Sequence, residues 1–211
     1  MQQELAAAHP PPWHGPARDA AIGAVAVCFP RAAAGAGAAG DPAWAAAVVM
    51  RGRRTLAEAV VTGAAGAPYQ PGLLALREGP VLEAAVRALP GPPDVLLVDA
   101  TGRDHPRRAG LALQLGAALD VPTVGVTHRP LLASGDWPAP QKGQTAPLLI
   151  DGEAVGAWLR RRAGARPLAV HPAWRTSLDV AVAVVRDSAG THRTPEPLRR
   201  ARRLARLARA S

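Results

Sequence analysis

Apolar positions along the chain fall into short unbroken runs and helical stripes, and each class predicts an element. Ala20 to Phe29 (AAIGAVAVCF) is a short apolar run closed by Pro30, the pattern of a buried strand. The Gly/Ala segment Ala32 to Gly40 is expected to be a flexible connection. Trp44 to Arg51 and Thr55 to Thr62 read as two further strands with a turn at Gly52. Three successive strands predict an antiparallel meander. Beyond a Pro/Gly-rich loop at Gly66 to Gly72, Leu73 to Leu89 carries apolar residues at 73, 76, 81, 82, 85, 86 and 89, which is helical spacing. Asp94 to Asp99 (DVLLVD), bounded by Pro93 and Gly102, predicts a buried parallel strand. A helix over Arg108 to Leu119 and a strand over Thr123 to Val126 complete a βαβ unit. Further strands are expected at Pro147 to Ile150, Ala154 to Arg160 and Leu168 to His171, and helices at Ser177 to Arg186 and Glu196 to Ala210.

Composition bounds this picture. A chain of 211 residues suits one α/β domain rather than two. Residues 1–19 read as an arm with a short helix and a Pro-rich loop (HPPPWHGP, His9 to Pro16), since consecutive prolines cannot continue a helix. Residues 20–193 form the domain, and 194–211 a basic helix belonging to it. The net charge of +9 points to a polyanionic partner. Its excess is concentrated in Thr194 to Ser211, which holds six arginines and one glutamate, Arg202 and Arg206 among the candidate nucleic-acid contacts. Cys28 is the only cysteine, so no intrachain disulfide forms, and it reads as a small core residue. The first thirty residues lack a secretory pattern and no apolar run reaches the length of about 18 that spans a bilayer. The expectation is a cytoplasmic location with no membrane partner.

Five blocks carry the candidate chemistry: Pro68 to Pro80 (PYQPGLLALREGP), Val95 to Gly116 (VLLVDATGRDHPRRAGLALQLG), Pro122 to Leu132 (PTVGVTHRPLL), Val170 to Leu178 (VHPAWRTSL) and Pro195 to Leu198 (PEPL). In order and spacing, over nearly the whole chain, they resemble the endonuclease V (deoxyinosine 3' endonuclease) family, which nicks nucleic acid near deaminated purines, chiefly inosine. The resemblance implies an α/β, RNase H-like fold with a mixed central sheet, and the meander followed by βαβ units agrees with it. In the first block Pro68 and Pro71 stiffen a loop that also holds Tyr69, Gln70 and Gly72. Tyr69 is the only tyrosine, and an aromatic on such a frame can stack on a base or wedge between bases. The resemblance assigns this loop that role. Glu78 lies in the following helix and Asp99 ends a buried strand, where ligands of open sheets collect. Both match metal-site carboxylates of the family, with Mg²⁺ or Mn²⁺ as the implied ion. His105, Arg107 and Arg108 match the block after that strand; two arginines near a helix start are phosphate candidates, with surface solvation as the competing reading.

Three positions depart from the family pattern. Ala26 stands where the family's first strand carries a metal-binding aspartate, and Asp19, seven residues upstream, points to the opposite face. His128 occupies the family's lysine position and is mostly neutral at pH 7. Trp174 occupies the family's histidine position, and an indole has one N–H and no metal-binding lone pair; His171 would need a changed backbone path to replace it. The expectation is therefore a degenerate site that holds Mg²⁺ or Mn²⁺ weakly through Glu78 and Asp99. Recognition of DNA or RNA would persist while standard nuclease activity is reduced or lost, a pseudoenzyme of a DNA-repair family. Two alternatives stay open: an active Mg-dependent endonuclease on inosine-containing DNA or RNA, and a pocket reassigned to a nucleoside-like small molecule, on which Trp174, His128, Glu78 and Asp99 would converge.

Overall fold

The computed structural model describes residues 2–15, 18–31 and 37–211. Most of the connection expected at Ala32 to Gly40, and Pro16 of the N-terminal loop, lie outside the described residues. The short N-terminal helix is α1 (Gln2–Ala7). The meander follows as β1 (Ile22–Cys28), β2 (Pro42–Arg51) and β3 (Arg54–Ala64), paired antiparallel in sequence order. Helix α2 (Leu74–Arg87) crosses back to β4 (Val95–Val98), and α3 (Leu111–Leu119) leads to β5 (Thr123–Thr127). Both crossovers produce parallel pairs, β1 with β4 and β4 with β5. The chain then forms β6 (Thr145–Ile150), β7 (Glu153–Leu159) and β8 (Leu168–Pro172), and ends in α4 (Leu178–Asp187) and α5 (Glu196–Ala210).

One eight-stranded mixed sheet results, in the order β3-β2-β1-β4-β5-β8-β7-β6. This is the α/β, RNase H-like arrangement that the meander and βαβ pattern predicts. Alternation within the central strands sends one set of side chains to each face. Val25, Leu96 and Val98 pack beneath α2 and α3 with Leu82, Val86 and Leu113. Ala24, Ala26, Val95 and Leu97 pack beneath α4 and α5 with Ala181, Val184, Leu198 and Ala201. The small side chains of β1 and β2 let α5 lie close to the sheet, where Ala201 and Ala205 are fully buried. Among the described residues no helix is long and apolar enough to cross a membrane.

The helix predicted from Arg108 begins instead at Leu111. Arg108 is left-handed, with φ 54°, and the Gly110 N–H donates to the Gly102 carbonyl at 2.8 Å. A Cβ on Gly110 would collide with the Thr101 carbonyl oxygen, so only glycine permits this turn. The His105–Arg108 block is a compact turn rather than a helix start.

Candidate active site

Val25 pairs with Val98 in the parallel β1–β4 ladder, so Ala26 and Asp99 run side by side one step further on. Alternation carries both toward the α5 face. Glu78 comes from the other side of the sheet end: Leu74, Glu78 and Leu82, spaced by one helical turn, line a cavity of about 190 Å³ together with Ala26, Val98 and Asp99. Burial, reinforced by the Asp99 charge and opposed by Arg77, pushes the Glu78 carboxyl up to about 7. Arg202 of α5 reaches Asp99, its Nη2 2.6 Å and its Nε 3.1 Å from the same Oδ2.

His128 follows directly on β5, at the same end of the sheet. Its Nε2 lies 3.4 Å from the Thr194 hydroxyl and its Nδ1 3.4 Å from the Arg193 guanidinium. Partial burial first, and then the charges of Arg193 and Arg202, hold its pKa below the usual histidine value, while Asp99 pulls the other way. The imidazole is thus neutral at pH 7, and the positive charge on this side of the cleft comes from Arg193 and Arg202.

Trp174 is not brought to this cluster. Its backbone N–H donates to the Thr123 hydroxyl at 3.0 Å and its indole N–H to Asp120 at 3.2 Å. Thr123 opens β5 and pairs with Leu96, three residues before Asp99, so Trp174 lies about 10 Å back along the sheet, at its opposite end. A pocket combining Trp174 with His128, Glu78 and Asp99 is therefore not formed. His171 does not replace a ligand either: it is fully buried on β8, its Nε2 3.0 Å from the Thr127 hydroxyl. Burial holds it neutral, partly offset by the charge of Asp104.

The proline-framed loop presents Tyr69 half exposed, at 48% of its accessible area, with its backbone N–H on the Gly37 carbonyl at 3.1 Å. Gly72 turns the loop with φ 75°, and its carbonyl is gripped from below. His105 Nε2 lies 3.1 Å from it, and Arg107 donates to it at 3.2 Å and to Gln2 Oε1 at 2.9 Å. Arg108 faces Glu153 at 3.4 Å and Asp151 at 3.8 Å. His105 and Arg107 brace the aromatic loop, and Arg108 is engaged by carboxylates.

Two positioning residues carry no signal in the local sequence. Arg77, beside Glu78, is buried; it donates to Asp41 at 2.7 Å and to the carbonyls of Ala38 and Ala67 at 2.8 and 3.0 Å. It anchors the start of α2, and with it Glu78. Asp104, fully buried, accepts the backbone N–H groups of Leu131, Leu132 and Ala133 at 2.6, 2.8 and 2.8 Å. That clamp joins the loop after β4 to the loop after β5, and so fixes Asp99 relative to His128. Asp41 is 36 residues from Arg77 in sequence and Leu131 is 27 from Asp104, which is why pattern reading misses both pairings.

Among the described residues no group of three or more His, Cys, Asp or Glu side chains is placed to hold a metal ion. The cleft offers two carboxylates, and two are enough for Mg²⁺ or Mn²⁺ when water and phosphate oxygens complete the shell. Comparison with known proteins gives a consistent picture. The family model for endonuclease V matches residues 18–203. Endonuclease V of Streptomyces avermitilis is 42% identical over 153 residues, covering 72% of this chain and 67% of that protein. The matched segment spans about two thirds of the curated relatives' own length. A crystal structure of the Streptomyces avermitilis protein superimposes with a TM-score of 0.85 at 37% identity, over 99% of this chain and 90% of that one. The catalytic domain of human endonuclease V does so with a TM-score of 0.85 at 28% identity, over 98% and 92%. Similarity of this extent to endonucleases overturns the expectation, drawn from Ala26, His128 and Trp174, that standard nuclease activity is reduced or lost. Part of that expectation was also misplaced in space, because Trp174 stands outside the cleft.

Proposed function

The chain belongs to the endonuclease V family, and on that premise we propose that it is a divalent-metal-dependent endonuclease acting on inosine-containing DNA or RNA. The observation that supports this reading is the meeting of Glu78 and Asp99 at one cavity, at the carboxyl end of the parallel strands. These two residues would hold a Mg²⁺ or Mn²⁺ ion, which when bound polarises a phosphate and activates water. Ala26 adds no ligand, so the phosphate and water must contribute more of the shell. Arg193 and Arg202 supply the positive charge that a phosphodiester requires, and neutral His128 offers a hydrogen bond beside them. Tyr69 stands exposed on its braced loop as the aromatic for an unstacked base.

The test is cleavage of inosine-containing single strands with Mg²⁺ or Mn²⁺. The expected outcome is metal-dependent nicking that falls by at least about 100-fold in Asp99→Asn, the order of loss for removal of a transition-state charge stabiliser. Tight binding of the oligonucleotide with no nicking by the wild-type protein in either metal overturns the reading.

A further inference from the structure

We propose that Arg202 is the resident counter-ion of the cleft and gates metal binding: it holds Asp99 until a substrate phosphate draws its guanidinium away. The inference rests on the nuclease reading above and adds to it a residue that alternates between two anions.

Asp99 and Ala26 stand side by side on the α5 face, and from that helix the Arg202 guanidinium reaches Asp99. Both donors of Arg202 in reach point at one oxygen, Asp99 Oδ2, at 2.6 and 3.1 Å. A guanidinium cannot lose its charge at any accessible pH. A divalent ion that takes Asp99 must therefore displace a fixed cation rather than wait for one to deprotonate. Once displaced, Arg202 is left without its carboxylate in a groove lined by other arginines, Arg193, Arg199 and Arg203 among them, where an incoming anion is favoured. Within the cleft the other carboxyl, Glu78, comes from α2 on the opposite face of the sheet from α5. A phosphodiester is the fitting recipient: its oxygens match the guanidinium fork, and Arg193 and His128 already stand on that side. Metal and nucleic acid therefore bind with positive coupling, each relieving what opposes the other.

The experiment measures Mn²⁺ binding by the full chain, from the electron paramagnetic resonance of free Mn²⁺. It is run with and without an inosine oligonucleotide whose phosphorothioate linkages resist cleavage. Without the oligonucleotide, Arg202→Gln should bind Mn²⁺ roughly fivefold tighter than wild type, the factor for losing a competing ion pair of this exposure. Arg202→Lys, which keeps a cation at Asp99, should stay near wild type and serves as a second folded variant. The oligonucleotide should tighten Mn²⁺ binding in wild type and much less in Arg202→Gln. Measured without oligonucleotide, Arg203→Gln, which removes a charge from the same helix without touching Asp99, should leave Mn²⁺ affinity near wild type. Equal Mn²⁺ affinity in wild type and Arg202→Gln, with Asp99→Asn losing the ion in both, overturns the gate and leaves the metal site standing. An equal gain in Arg203→Gln overturns it as well, because the effect would then be the general field of the helix. No Mn²⁺ binding in any variant, even with oligonucleotide, overturns both the gate and the metal-dependent reading.

Discussion

Arg77 and Arg202 each bring a guanidinium to an aspartate within 3 Å, yet the two regions use it in opposite ways. Arg77 is enclosed: Asp41, two backbone carbonyls and the face of Phe29, 4.4 Å below, take up its charge and its donors. It cannot leave without stranding several partners. Arg160 and Arg161 follow the same rule, the first on the carbonyls of Pro138 and Ala139 and the second on those of Ser188 and His192. Arg202 has one carboxylate, and it lines an open groove with Arg193 and Arg199. In a chain this rich in arginine, the residue type does not separate scaffold from function. The number of fixed acceptors around each guanidinium does.

Arg77 has the most to lose. Arg77→Met keeps the aliphatic stem and removes the charge, and it should lower stability by about 2–4 kcal/mol, read from denaturant unfolding. The cost arises because Ala38, Ala67 and Asp41 lose their donor. A loss below about 0.5 kcal/mol would place Arg77 with the dispensable surface arginines.

His171 extends the contrast from the opposite chemistry, since a buried histidine, unlike a buried arginine, can shed its charge. Folding holds it neutral, so its folded pKa lies below the ordinary value near 6.5. Below that pH the unfolded chain takes up a proton that the folded protein refuses. The stability contribution is therefore complete above about pH 6.5 and is lost as pH falls toward the folded pKa. Relative to His171→Gln, wild-type stability should decline more steeply on acidification, by at most about 1.4 kcal/mol per pH unit. Parallel pH profiles for the two proteins would show that His171 takes up its proton in the fold as readily as in the unfolded chain.

The smallest effect on stability, and a clear one on binding, belongs to the outer face of α5. Among the described residues Arg203 and Arg206 have no acidic partner, and both line a groove of about 990 Å³ with Arg193 and Arg199. Replacing Arg203 and Arg206 with glutamine should leave stability within about 0.5 kcal/mol. The slope of log affinity against log salt on single-stranded nucleic acid should flatten by about 0.7 for each phosphate no longer neutralised. An unchanged slope would assign these arginines to solvation, and Arg193 and Arg202 would then represent the functional class.

Much of the architecture is legible in the sequence. The apolar runs of β1, β4 and β5, the stripe of α2 and the basic stripe of α5 are periodicities that local sterics and burial enforce, and each element lies close to where its pattern begins and ends. The late start of α3 is not legible, because a left-handed Arg108 and a close-packed Gly110 are demanded by the neighbouring Thr101–Gly102 turn. The site divides in the same way. Glu78, Asp99 and Tyr69 carry motif signals in their own blocks, and the family blocks set Ala26 and His128 in order along the chain. Which of these residues meet is a matter of register and helix placement. The pairing of Val25 with Val98 sets Ala26 beside Asp99, and the descent of β8 past β5 carries Trp174 to the far end of the sheet. The seating of α5 on small side chains delivers Arg202 to a carboxylate 103 residues earlier in the chain. The elements and the kinds of chemistry on offer follow from interactions within a few residues, and so they are written in the order of amino acids. Which charge faces which follows from strand order and packing distance, and no local pattern records either.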